Sequence, residues 1–137
     1  MNRVFRALSA ALVGAAALSA FLPQALAQTA AGNIILGSGT TTSGANSTAI
    51  GDGADASGLQ GTAIGGNSDA LGGNSVAVGS NATATDRDNI AVGSGAVAGL
   101  LAAPPLAVTG ASAFGTSADA TGFNSTALGF DAQATGA

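Results

Sequence analysis

Glycine recurs at an interval of fourteen residues through most of this 137-residue chain: Gly37, Gly51, Gly65, Gly79 and Gly93 keep it, and Gly115 and Gly129 resume it after an eight-residue slip. A strict period of this size marks a repeat architecture in which each repeat is one coil, unable to bury its own apolar face and stabilised by stacking on its neighbours. Function must then be sought in columns of equivalent residues rather than in a single motif.

Residues Met1 to Ala27 stand outside the period. Arg3 and Arg6 precede an apolar run from Ala7 to Leu22, followed by Pro23 and the small-x-small sequence Ala25-Leu26-Ala27, the arrangement of a helical secretory signal peptide cleaved after Ala27. The run falls short of the roughly 20 residues that span a bilayer, which argues against a retained anchor. Residues 28–33 form a short N-terminal segment and residues 34–137 carry the repeats.

Beyond Ala27 the chain has no Cys, His, Lys, Glu, Trp or Tyr, and Arg87 is its one cation against seven Asp. That balance argues against a nucleic-acid partner and against contact of this segment with an anionic membrane. An exported domain of this size without disulfides must gain its stability from repetition or assembly. The Gly, Ala, Ser, Thr and Asn that remain resemble a low-complexity linker, but a disordered linker does not place aliphatic residues in phase.

Within a coil, the first half reads Asn46-Ser-Thr-Ala-Ile-Gly51, Gln60-Gly-Thr-Ala-Ile-Gly65, Asn74-Ser-Val-Ala-Val-Gly79, Asp88-Asn-Ile-Ala-Val-Gly93 and Asn124-Ser-Thr-Ala-Leu-Gly129. The second half reads Gly51-Asp-Gly-Ala-Asp-Ala-Ser-Gly58 and Gly115-Thr-Ser-Ala-Asp-Ala-Thr-Gly122. Each half is a strand of about four residues ending in a Gly, Asn or Ser turn that tolerates positive φ. Apolar spacing of two rather than 3.6, with frequent glycine, predicts an all-β chain without a long helix after the leader.

Residues two apart share a face of a strand. Ala49, Ala63, Ala77, Ala91, Ala113 and Ala127 therefore form one column of the first strand, and Ile50, Ile64, Val78, Val92, Phe114 and Leu128 belong to the opposite face. In the second strand Ala54, Ala56, Ala118 and Ala120 alternate with Asp55 and Asp119. A carboxylate is not buried unpaired in a narrow coil, so the Asp residues point outward and the alanines inward. If the first strand also turns Ala inward, the large column lies on the outer wall, where its burial against a partner contributes about 1.5 to 3 kcal/mol per side chain. The alternative places the large column inside and Ala outside.

The repeat Asn-Ser-x-Ala-[Ile/Val/Leu]-Gly followed by Gly-x-x-Ala-x-Ala-x-Gly resembles the YadA-like head repeat of trimeric autotransporter adhesins, from about Ile34 to Ala137. The resemblance implies a left-handed parallel β-roll, a solenoid of fourteen-residue coils, three copies of which associate as a homotrimer. It further implies a non-enzymatic module at the cell surface and outer membrane that attaches to host extracellular matrix, host cells or other bacteria. Residues Ile50, Ile64, Val78, Val92, Phe114 and Leu128 would then face the trimer axis. Two features depart from the family pattern. Residues 100–107 interrupt the period, and the adjacent Pro104 and Pro105 cannot continue a ladder. A loop is expected there, with Leu100, Leu101, Pro104 and Pro105 as either a contact loop or a tolerated insertion packed on a neighbouring coil. Family members also continue into a stalk and a barrel anchor, so the chain reads as a fragment of a longer adhesin or a truncated frame, periplasmic or secreted if alone.

Catalysis is not expected, because no nucleophile and base can be paired without His, Cys, Lys or Glu. The carboxylates are expected on an exposed column with nothing to raise a pKa. Gly65-Gly-Asn-Ser-Asp69 resembles a calcium-binding nonapeptide, with Asp55 and Asp69 stacked about 4.8 Å apart, but the interval is wrong and Thr83 and Val97 break the column. No metal or cofactor is therefore expected. Asn46-Ser-Thr48, Asn81-Ala-Thr83 and Asn124-Ser-Thr126 match the glycosylation sequon but serve as turns of the repeat. The function from another class is a structural or ice-binding solenoid, suggested by Thr83, Thr85, Thr121 and Thr135, although Asp55, Leu71, Val97 and Gly99 interrupt that array.

Overall fold

A computed structural model describes residues 27–28, 32–99 and 109–136. Within them the chain is an all-β solenoid of about seven turns, with no helix. Each coil contributes a three-residue strand to one parallel sheet and a two-residue strand to a second, shorter than the four residues expected because the corners claim the rest.

The first sheet runs in the order β1 (Ala27–Gln28), β2 (Ile34–Leu36), β3 (Thr48–Ile50), β4 (Thr62–Ile64), β6 (Val76–Val78), β8 (Ile90–Val92), β10 (Ser112–Phe114) and β12 (Thr126–Leu128). The second contains β5 (Asp69–Ala70), β7 (Thr83–Ala84), β9 (Val97–Ala98), β11 (Asp119–Ala120) and β13 (Gln133–Ala134). Single parallel bridges from Thr41 to Asp55 and from Asp55 to Asp69 extend the second sheet to the earlier coils. Every pairing between coils is parallel and joins equivalent residues, as in Thr62 with Val76 and Ala63 with Ala77. Only β1 runs antiparallel, placing Ala27 opposite Ile35 and Gln28 opposite Ile34.

The corners explain the glycine ladder. Ala54, Ser68, Ala82, Ala96, Ala118 and Ala132 each donate an amide hydrogen bond to the carbonyl of the ladder glycine three residues back, closing a tight turn. The third residue of each turn has positive φ, at Gly53 (70°), Asn67 (52°) and Asn81 (57°), as a type II turn requires. The ladder glycines carry a second constraint. Gly79 has φ 130°, and a Cβ added there would stand 2.5 Å from the carbonyl oxygen of Gly93 in the next coil. Gly65 meets Gly79 in the same way, at 2.6 Å. Successive coils therefore stack main chain directly on main chain at this corner.

That stacking leaves a narrow interior. The core consists of alanines, among them Ala49, Ala63, Ala77, Ala91 and Ala113 from the first sheet and Ala70, Ala84, Ala98 and Ala120 from the second, all fully buried. Among the described residues only Asn89, Ser47, Ser68 and Ser75 are larger and equally enclosed. The serines are satisfied by the corners: Ser47 Oγ donates to Gly44 O at 2.9 Å, Ser68 Oγ to Gly65 O at 2.9 Å and Ser75 Oγ to Gly72 O at 2.7 Å.

The expected leader, through residue 26, and the expected loop at 100–107 lie outside the described residues. The coil register nevertheless resumes across the latter, since β10 pairs with β8 by placing Ser112 beside Ile90 and Phe114 beside Val92.

Replacing Gly79 by Ala combines an unfavourable φ with a collision against main chain, and should destabilise the roll by about 2 kcal/mol in urea unfolding. Gly39 shares the corner position of Asn67 and Asn81, has φ 67°, and has nothing within 4 Å of an added Cβ. Gly39→Asn should change stability by less than about 0.5 kcal/mol.

Candidate functional site

Because the alanine column of the first sheet faces the interior, the residues between the alanines all emerge on the outer face. Thr48, Thr62, Val76, Ile90 and Ser112 form one row of it, half-buried, and Ile50, Ile64, Val78, Val92, Phe114 and Leu128 form the other. Parallel register places each large residue on its equivalent, Ile50 on Ile64, Ile64 on Val78, Val78 on Val92 and Val92 on Phe114. Stacking covers their flanks and leaves their tips in solvent. Ile64 remains 37 % exposed, and Leu128, on edge strand β12 with Phe114 as its one ladder neighbour, is 77 % exposed.

Leu36 heads the same column, paired with Ile50. The column reading of the sequence missed it, although its position immediately before Gly37 on the ladder marks it as equivalent to Ile50 and Ile64. Ile35 opens the alanine column as Ala49's partner and stays half-buried there. Leu59 and Phe123 were also missed. They lie on a turn corner rather than a strand face, each 57 % exposed, and four coils apart they form separate projections rather than a patch.

The second sheet presents a polar outer face. Its outward column is Thr41, Asp55, Asp69, Thr83, Val97, Asp119 and Gln133. Asp55 and Asp69 are direct neighbours in register, and Ser57 Oγ donates to Asp55 Oδ1. The expectation that nothing would perturb these carboxylates is corrected here. Partial burial, and then the charge of Asp55, push the Asp69 carboxyl above the ordinary value of 3.8. Asp119 lies between Val97 and Gln133 instead of another carboxylate, and its Oδ1 is buried without a hydrogen-bond partner.

Among the described residues no three His, Cys, Asp or Glu gather as a metal site, and no helix is long and apolar enough to cross a membrane. Leu100, Leu101, Pro104 and Pro105 lie outside the described residues. Thr83, Thr85 and Thr121 share the second sheet's outer side with Asp69, Leu71 and Val97, which vary its height and polarity from coil to coil.

Comparison with known protein families matches the YadA head domain repeat over residues 36–54, 56–82, 70–96 and 120–137. Comparison with curated protein sequences finds no match.

The perturbed carboxyl has a measurable consequence. A folded-state pKa above the unfolded one favours the folded chain fully below pH 3.8, and that contribution disappears as pH rises through the Asp69 value. Asp69→Asn should therefore flatten the fall in stability between pH 3.5 and pH 6 and raise the unfolding midpoint at neutral pH. Parallel pH dependences for parent and variant would show that the stacked pair imposes no strain.

Proposed function

Since this chain belongs to the YadA head domain family, we propose that it is the non-enzymatic head of a trimeric autotransporter adhesin and that three copies associate through the outer face of the first sheet. The left-handed roll, the homotrimer and the interface residues Ile50, Ile64, Val78, Val92, Phe114 and Leu128 form one reading. The observation that carries it is the arrangement of side chains around the alanine core. An interior filled by Ala has no space for the aliphatic column, which leaves a stripe of half-buried to exposed Ile, Val, Phe and Leu along one face. Stripes of this length on a secreted protein mark a partner surface, and burial of six such residues is worth about 1.5 to 3 kcal/mol each.

Attachment falls to the other faces. Ser, Thr, Asp and Asn are frequent on the second sheet and the corners, interspersed with Leu59, Leu71, Val97, Phe123 and Phe130, and three copies of every weak contact, repeated along the roll, gain by avidity what each lacks in affinity. The ligand class is host extracellular matrix, a host-cell receptor or another bacterium. The leader at residues 1–27 directs export, and the head acts at the cell surface as part of a longer adhesin.

Sedimentation equilibrium of the exported chain at micromolar concentration should give the mass of a trimer. Ile64→Asp puts a carboxylate into the stripe and should shift the mass toward the monomer. Ser94→Asp, on an exposed corner equivalent to that of Asp52, whose Oδ1 accepts the Ser38 amide at 3.0 Å, should leave the trimer intact. A folded parent monomer, or equal behaviour of the two variants, would overturn the interface.

A further inference from the structure

Around the point where the period is interrupted, the side chains depart from the pattern of the three coils before it. The corner column that holds Gly44, Gly58 and Gly72 in preceding coils holds Asp86, and the core column that holds Ser47, Gly61 and Ser75 holds Asn89. Asn89 is fully buried, the largest side chain so enclosed. Its Nδ2 donates to Ala98 O at 3.2 Å, at the end of β9. Its Oδ1 accepts the amide of Ala111 at 2.9 Å, just before β10. One carboxamide therefore holds both feet of the interruption.

The rest of the junction supports it. In regular coils the amide at this position, as in Gly61, Ser75 and Ser125, donates to the turn carbonyl three residues back. The Ala111 amide donates to the Asn89 side chain, and Ala111 O takes the Ile90 amide at 2.9 Å in the normal ladder. Gly99 is buried with φ 94°, and a Cβ there would collide with Thr85 Oγ1 and Asn89 Nδ2 and press on Asp86 Oδ2. Thr85 Oγ1 lies 3.2 Å from Asp86 Oδ2 and 3.4 Å from Ala98 O. The Gly99 amide bonds forward to Ala120 O at 2.9 Å, and the Gly110 amide bonds back to Arg87 O at 3.3 Å. Each foot is thus tied to a neighbouring coil as well as to Asn89.

We propose that Asn89, positioned with Thr85 and Asp86 around Gly99, is a clasp that holds coil register across the interruption of the period by joining Ala98 to Ala111. The clasp belongs to the preceding coil and to the feet, so the identity of residues 100–107 does not enter it. Asn33 shows that the device is general to this column. It accepts the Ser47 amide at 3.0 Å and donates to Thr42 Oγ1 at 3.2 Å, bridging the residues equivalent to Ala111 and Ala98 in a coil without an interruption.

Three measurements on the full exported chain at fixed concentration test the proposal. In the unaltered protein, hydrogen exchange of the Ala111 amide should be slowed to the order of the Ile90 amide, and exchange at the rate of an open loop would overturn the clasp. Replacing 100–107 by a Gly/Ser segment of equal or double length should leave the thermal midpoint within about 2 °C, whereas loss of the cooperative transition would overturn the clasp. Asn89→Ala should lower the midpoint by about 5 to 10 °C. In a chain lacking 100–107 the same change should cost less than half as much. That deletion is combined with Val108→Gly, which restores glycine to the corner column and so the regular sequence pattern before Ala111. Equal losses in the two backgrounds would reduce Asn89 to an ordinary core residue. If the shortened chain does not fold, the exchange and replacement measurements decide.

Discussion

The rest of the roll depends on the contact of one glycine with the carbonyl of the next. At each ladder corner the main chain of one coil lies so close to that of the coil above that a Cβ on Gly65 or Gly79 would penetrate it. This closeness fixes the period, because a shift of one residue in any coil would place a side chain in the contact. It also aligns every strand with its equivalent in the next coil, so the parallel ladders join like to like throughout the roll. Repeat proteins of this kind derive their stability from nearest-neighbour interfaces, and here the interface is hydrogen-bonded main chain over a single file of alanines. Each such bond contributes only about 1 kcal/mol net, but every coil forms the same set.

The same constraint accounts for the outer wall. Two short sheets held this close have no interior space for Ile, Val or Phe, and among the described residues nothing larger than Asn is fully enclosed. Apolar side chains that would form the core of a globular domain are displaced to the outside of the first sheet, where stacking shields their flanks alone. A roll with an alanine core thus keeps part of its apolar surface outside the core. The second sheet carries no comparable stripe. Its Thr, Asp and Val neighbours make it variable, and the stacked Asp55 and Asp69 show that variation between coils can place like charges side by side.

Much of this was legible before any coordinates. Gly37 to Gly129 stated the period, and the Asn, Asp and Ser residues of the corners occupy the positive-φ positions their chemistry suits, as Asn46, Asn74 and Asp88 do. Alternation in Thr62-Ala63-Ile64 separated a small column from a large one. Other features were not legible, each for a physical reason. Asp69 titrates high because of a neighbour one coil away and partial burial, neither of which its local sequence records. Leu36 escaped because its coil departs from the Ala-containing pattern, with Ile35 where the others have Ala. Asn89 reads locally as one more turn residue, since its two partners, Ala98 and Ala111, lie on opposite sides of an interruption whose path no periodicity describes.

The sequence by itself determined the coil length, the corner chemistry and the division of each strand into a small and a large face, because all three follow from local φ preferences and the two-residue alternation of a strand. The tertiary structure decided which face turns inward. Alternation is symmetric between the two faces, and only the stacking distance between coils, set by main chain meeting main chain at the glycines, excludes the larger side chains from the interior and leaves the alanines to fill it.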